Sequence, residues 1–184
     1  TWRDSSKVLQ ERVDLLLKNG SQGLALVFLV LALFLKFRLA FWVSIGIPLS
    51  FRGAFWMMPI LGVSINMVSL FAFILVLGIV VDDAIVVGEN IHANVRRGIP
   101  PRDAAVKGVQ EVAVPVIFAV LTTVAAFWPL LNIPGTMGKI FRVMPLVVIP
   151  TLLFSIIESQ WILPAHLTHL KDDGPSRFAF ARGW

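Results

Sequence analysis

Gly78-Ile79-Val80-Val81-Asp82-Asp83-Ala84-Ile85-Val86-Val87 sets two adjacent carboxylates between apolar runs. An ionised Asp costs roughly 2.5–3.5 kcal/mol at the centre of a membrane helix. Two neighbours also repel, so they titrate as one coupled unit. Adjacent helical positions lie about 100° apart, which lets both acids face one polar crevice in a bundle. Gly78, a turn before Asp82, and Ala84 leave room for another helix to approach. Carboxylates placed in this way are candidate proton relays. A bland reading competes: a span over Leu61–Val81 would leave the pair at the interface, merely ending the helix. Ser64 and Asn66 make a more natural outer end, and Ala84–Val87 is apolar again. Counted from Asn66, Asp82 lies about 24 Å along the helix, inside a hydrocarbon core of about 30 Å. The burial reading is therefore preferred.

The remainder of the chain supports a membrane setting. Of 184 residues, 57% are hydrophobic and 15% charged, where a soluble domain is roughly half apolar and about a quarter charged. The apolar residues come in blocks, so a water-soluble globule and a disordered segment are both excluded. The sequence predicts an all-α membrane protein with five spans. They run from about Ser21 to Leu35, Leu39 to Leu61, Asn66 to Gly88, Val112 to Leu131 and Ile140 to Leu163. Prolines 48, 59, 115, 129, 145 and 150 fall within or at the ends of these spans, as neighbouring helices or water allow. Trp42, Trp56, Trp128 and Trp161 lie near span ends, where an aromatic belt places them. Ahead of the spans, residues 1–20 predict an amphipathic surface helix. Val8, Leu9, Val13, Leu16 and Leu17 share one face, Ser5 or Ser6 caps the start, and Gly20 ends it. Residues 21–165 form the membrane domain, and 166–184 a tail.

The cations set the orientation. The net charge is +5, yet the basic residues sit in short clusters between apolar blocks, so no nucleic-acid partner is implied. One side collects Lys36 and Arg38, then Arg96, Arg97, Arg102 and Lys107, then Lys171, Arg177 and Arg182. The other, beyond the amphipathic N-terminus, has only Lys139 and Arg142. The positive-inside rule places the first set, and the tail, in the cytoplasm. Arg96-Arg97-Gly98-Ile99-Pro100-Pro101-Arg102-Asp103 reads as a turn followed by a helix start. An odd number of spans, with no Met before Thr1, predicts a piece of something larger. The absence of cysteine excludes disulfides and thiolate metal sites.

The residues now reach a known family. Ser64-Ile65-Asn66, followed by Leu77-Gly78-Ile79-Val80-Val81-Asp82-Asp83-Ala84-Ile85-Val86-Val87-Gly88-Glu89-Asn90, closely resembles the fourth transmembrane helix of resistance-nodulation-cell division (RND) efflux permeases. Gly98-Ile99-Pro100-Pro101 with Ala104-Ala105, and Pro164 ending the fifth block, look like the same family. The likeness spans nearly the whole chain, as helices two to six of the family's first half. The paired Asp is similar to the hydrophobe and amphiphile exporters rather than the metal exporters. By that resemblance, Asp82 and Asp83 carry the proton relay of a multidrug antiporter in the bacterial inner membrane. The protein is then a transporter and not an enzyme, with protons as the coupling ion and no cofactor or metal. The resemblance further implies a homotrimer with a periplasmic adaptor and an outer-membrane channel, exporting hydrophobic small molecules. A large porter domain and a second half carrying the relay's lysine complete such a permease.

Other polar residues within the spans carry two readings each. Arg52 lies about 13 Å from Leu61, so it either reaches toward the Asp pair or, preferably, snorkels to a lipid phosphate. Glu158 lies about 27 Å into the last span from Ile140. It is either a third relay carboxylate or, preferably, an interfacial acid near Trp161 and Pro164. His166 and His169 share a face but are too few for a metal site, and read as interfacial. Glu89 and Asn90 mark the cytoplasmic end of the third span. Two other functional classes compete with the transporter. An intramembrane aspartyl hydrolase needs carboxylates opposed across one water, and adjacent positions on one helix diverge. A purely structural membrane module would leave the acids interfacial and inert.

Overall fold

A computed structural model describes residues 2–34 and 37–168. The element order is α1 (Trp2–Phe34), α2 (Phe37–Ile60), α3 (Met67–Arg96), α4 (Pro101–Phe127), a 3-10 turn (Trp128–Asn132), α5 (Gly135–Phe141), α6 (Val143–Ile157), a π-helical turn (Glu158–Ile162) and α7 (Leu163–Leu167). No strand occurs among the described residues. Four helical stretches are long and apolar enough to cross a membrane: Leu39–Ile60, Met67–Arg96, Pro101–Asn132 and Gly135–Leu167. The expected first span corresponds to a shorter apolar stretch, Gly20–Leu33. The chain is an all-α membrane protein.

Local chemistry accounts for the boundaries. Asn66 caps α3, its side chain accepting from the amides of Val68 and Ser69, while the Ser69 hydroxyl accepts from the Asn66 amide at 2.8 Å. That reciprocal box satisfies donors the first turn would otherwise leave open, so α3 starts where the outer end was expected. Gly98, at φ +84°, makes the turn after α3. Pro101 then opens α4, where a missing amide hydrogen costs nothing.

Two expected boundaries are corrected. Gly20 does not end a surface helix, because α1 runs through it without a break from Trp2 to Phe34. One glycine costs a helix only about 1 kcal/mol relative to alanine, which the flanking residues absorb. The start at Trp2 likewise precedes Ser5 and Ser6, so neither caps it. Asp14 and Lys18 are exposed; the side chains of Val8, Leu9, Val13, Leu16 and Leu17 lie outside those described. Pro164 does not end the last helix either. The turn just before it widens, with the Leu163 amide reaching back to the Glu158 carbonyl, and α7 continues to Leu167. A π turn is a regular way to absorb a break in the hydrogen-bond ladder.

Helix α3 is central, packed against α2, α4 and α6. Gly88 sits under Leu39 and Val43 of α2, and Phe73 stacks on Phe55 with centroids 4.5 Å apart. These contacts run in opposite order along the two helices, so α2 and α3 are antiparallel. Gly53 under the Phe154 ring, Gly46 under the Glu158 carboxylate and Trp42 stacked on His166 at 4.2 Å fix α2 antiparallel to α6 in the same way. Val43, Val76, Val80, Val87, Val147, Val148 and Leu152 are fully enclosed between these helices.

Candidate functional site

Successive positions on α3 separate the two aspartates. Asp82 is exposed, and lies on a stripe with Phe71, Ile74 and Gly78 that is exposed along its length. A Cβ placed on Gly78 meets nothing within 4 Å. The expectation that both acids share one crevice, with Gly78 admitting a helix, does not hold among the described residues. Asp83 turns inward instead and keeps 7% of its surface exposed. The 100° step between neighbours is enough to put one acid on each side of the packing boundary. Ala84, by contrast, is buried as expected.

The neighbour of Asp83 comes from α6. The single Ser155 hydroxyl proton has two acceptors within reach, the Leu152 carbonyl at 3.0 Å and Asp83 Oδ2 at 3.5 Å. Thr151, Ser155, Glu158 and Ser159, all buried, recur at three- and four-residue spacing and so line one face of this helix. Small hydroxyl side chains are common where membrane helices pack closely, and Thr151, Ser155 and Ser159 each also reach a carbonyl of their own helix, so Glu158 is the charged member of this inward face.

Glu158 lies on that inward face, enclosed by neighbouring helices rather than turned to the outside of the bundle. It opens the π turn, keeps 3% of its surface exposed, and lies directly against Gly46 of α2, where a Cβ would overlap its carboxylate. Arg52 does the opposite. It is exposed on α2 beside Gly53, whose own contact is the Phe154 ring. No ion pair joins Arg52 to either aspartate among the described residues. His166 stacks on Trp42, and His169 lies outside the described residues. Glu89 and Asn90 do not end the helix, which runs on to Arg96, and Asn90 has a role of its own. Its side-chain amide donates to the Gly108 carbonyl and to Glu111 Oε2, both at 2.8 Å, and Asn94 donates to the same oxygen at 2.9 Å. Sequence reasoning missed this clamp between α3 and α4; the Asn90 and Asn94 spacing of one helical turn was the available signal.

Residues 1–176 match the AcrB/AcrD/AcrF family. The chain belongs to that family. Among curated relatives, it is 37% identical over 164 residues to the multidrug resistance protein MdtC of Photorhabdus laumondii, covering 88% of this chain and 16% of the relative. The MdtC protein of Yersinia enterocolitica is 35% identical over 175 residues, 95% of this chain and 17% of its own length. That of Pectobacterium atrosepticum is 37% identical over 156 residues, 84% and 15% respectively. This AcrB/AcrD/AcrF-family chain thus spans about one sixth of the length of the relatives it matches. Membership agrees with the resemblance drawn from the Asp-Asp helix, and with a multi-pass membrane protein.

Proposed function

We propose that the chain is a membrane segment of a proton-driven multidrug efflux permease, with Asp82 and Asp83 as its proton relay. The observation that carries this reading is the enclosed Asp83 carboxylate, met by the Ser155 hydroxyl where α3 packs on α6. A carboxyl group there binds and releases a proton inside a helix bundle, and the hydroxyl follows its charge state by donating to the carboxylate. Asp82 lies on the uncovered face of α3, where a basic side chain from the rest of the permease can pair with it. Loading and unloading the pair then changes how the two faces of α3 are held, which couples proton flow to transport. The proposal extends to the setting that the resemblance implies: a bacterial inner membrane, a trimeric permease with an adaptor and an outer-membrane channel, and hydrophobic or amphiphilic substrates.

The test is made in the full-length permease reconstituted into vesicles with an imposed pH gradient. Asp83→Asn and Asp82→Asn should each lower proton-driven drug export by about 100-fold, of the order seen when a group essential to proton transfer is removed. Substrate binding should change little. Export at the native rate in both variants would overturn the relay.

A further inference from the structure

Glu158 is a buried acid that the Asp pair does not account for. Its surroundings are specific. It sits in the π turn, one helical turn beyond Ser155 on the same face, with the carboxylate seated on the bare backbone of Gly46. Among the described residues no donor or cation reaches it. The elements around it carry other charged and titratable groups. Helix α3 brings Asp82 and Asp83 and, further along, Glu89, His92 and Arg96; α2 brings Arg38 and Arg52, α4 brings Arg102, Asp103, Lys107 and Glu111, and α7 brings His166. A second observation also points to polar traffic here. Gln160 Nε2, in the same π turn, and Ser44 Oγ, on α2 two residues from Gly46, are both buried without a partner. Buried polar atoms are rarely left unpaired, and two of them on the segments that carry Glu158 and Gly46 mark a place built for something that comes and goes.

We propose that Glu158 is a second proton station, receiving the proton from Asp83 and passing it toward the end of the bundle that carries Gly98 and His166. The proposal rests on the relay reading above. In the transfer, the Asp83 carboxyl gives its proton to the Ser155 oxygen while the Ser155 hydroxyl proton moves to the Glu158 carboxylate. The net change is a neutral Asp83 and an ionised Glu158 becoming an ionised Asp83 and a neutral Glu158. Side chains three apart on a helix stand about 5–6 Å from each other at Cβ, a gap that one bridging water closes, relaying the proton from the Ser155 hydroxyl to the carboxylate. The charge distribution of the connectors makes the receiving end cytoplasmic, the direction in which an antiporter's protons run.

Gln is isosteric with Glu but holds no proton, whereas Asp holds one and is shorter, so the two exchanges separate proton transfer from packing. In the full-length permease in vesicles, Glu158→Gln should lower proton-driven export at least tenfold, and Glu158→Asp should retain a third or more of the native rate. Gly46→Ala displaces the carboxylate without removing it. That exchange should move the pH profile of export by half a unit or more, at unchanged protein abundance. Native export and an unchanged pH profile in Glu158→Gln, beside an inactive Asp83→Asn, would overturn the second station and leave the Asp relay standing. Equal loss in Glu158→Gln and Glu158→Asp would identify a packing role and overturn it too. Native export in both Asp83→Asn and Glu158→Gln would remove the relay itself.

Discussion

Asp82 and Asp83 share a sequence neighbourhood but not a physical one, and the difference predicts unequal sensitivity to their surroundings. Asp83 has a partner within the chain. Ser155→Ala removes a hydrogen bond to a buried acid, worth roughly 1 kcal/mol, and should slow export about fivefold while shifting its pH profile; Ser155→Thr should restore both. An unchanged profile in Ser155→Ala would reduce Ser155 to a packing residue. The adjacency of the two acids was legible in the sequence, because two charges in an apolar run stand out without any tertiary information. Their division between inside and outside was not legible. A helical wheel gives the angle between neighbours but not where a neighbouring helix lies. Glu158 illustrates the same limit. Its depth along the span could be counted, yet its burial depends on Gly46, from a helix far away in sequence, offering no side chain at that level.

At the scale of elements, close backbone approach decides how α3 and α4 are held. A Cβ on Gly108 would stand 2.7 Å from the Ile91 Cα, a clash with backbone that no side-chain rotation relieves. Gly108→Val should therefore destabilise the purified protein by about 1–3 kcal/mol, the usual cost of overpacking, read as a lowered midpoint of thermal unfolding in detergent. Asn90→Ala should cost less, because Asn94 still reaches Glu111. A Gly108→Val midpoint equal to the native one would show that the two helices part freely. Helix starts were legible where a short polar residue meets the backbone: Asn66, with Ser69 three residues on, is a local signal that needs no tertiary partner. Helix ends were harder to read. Gly20 and Pro164 are both breaking residues by propensity, and both lie within helical chain. At Pro164 the π turn absorbs the missing hydrogen bond, and at Gly20 the cost is small enough for the flanking turns to carry.

The whole molecule presents two ends of different charge, and this asymmetry makes a topological prediction. The link after α2 and the start of α5 are poor in cations, with Lys139 and Arg142 near Ser64 and Asn66 around an open cleft. The opposite end carries Arg96, Arg97, Arg102 and Lys107, all exposed. Cationic connectors are retained on the cytoplasmic side during insertion, so the Gly62 end faces out and the Gly98 end faces in. These 184 residues hold no cysteine, so an introduced thiol is unique within them, and the unsubstituted protein labelled in parallel gives the background. Ser64→Cys and Asp103→Cys each replace an exposed side chain and leave every arginine and lysine in place. In intact bacterial cells opened only at the outer membrane, a membrane-impermeant maleimide should label Ser64→Cys fully. Asp103→Cys should be labelled only once the inner membrane is permeabilised. The reverse pattern would turn the bundle over, and with it the direction in which Asp83, Ser155 and Glu158 pass a proton. Labelling of both sites in unpermeabilised cells would mean that α3 does not cross the membrane at all, and a relay buried within it would have no gradient to use.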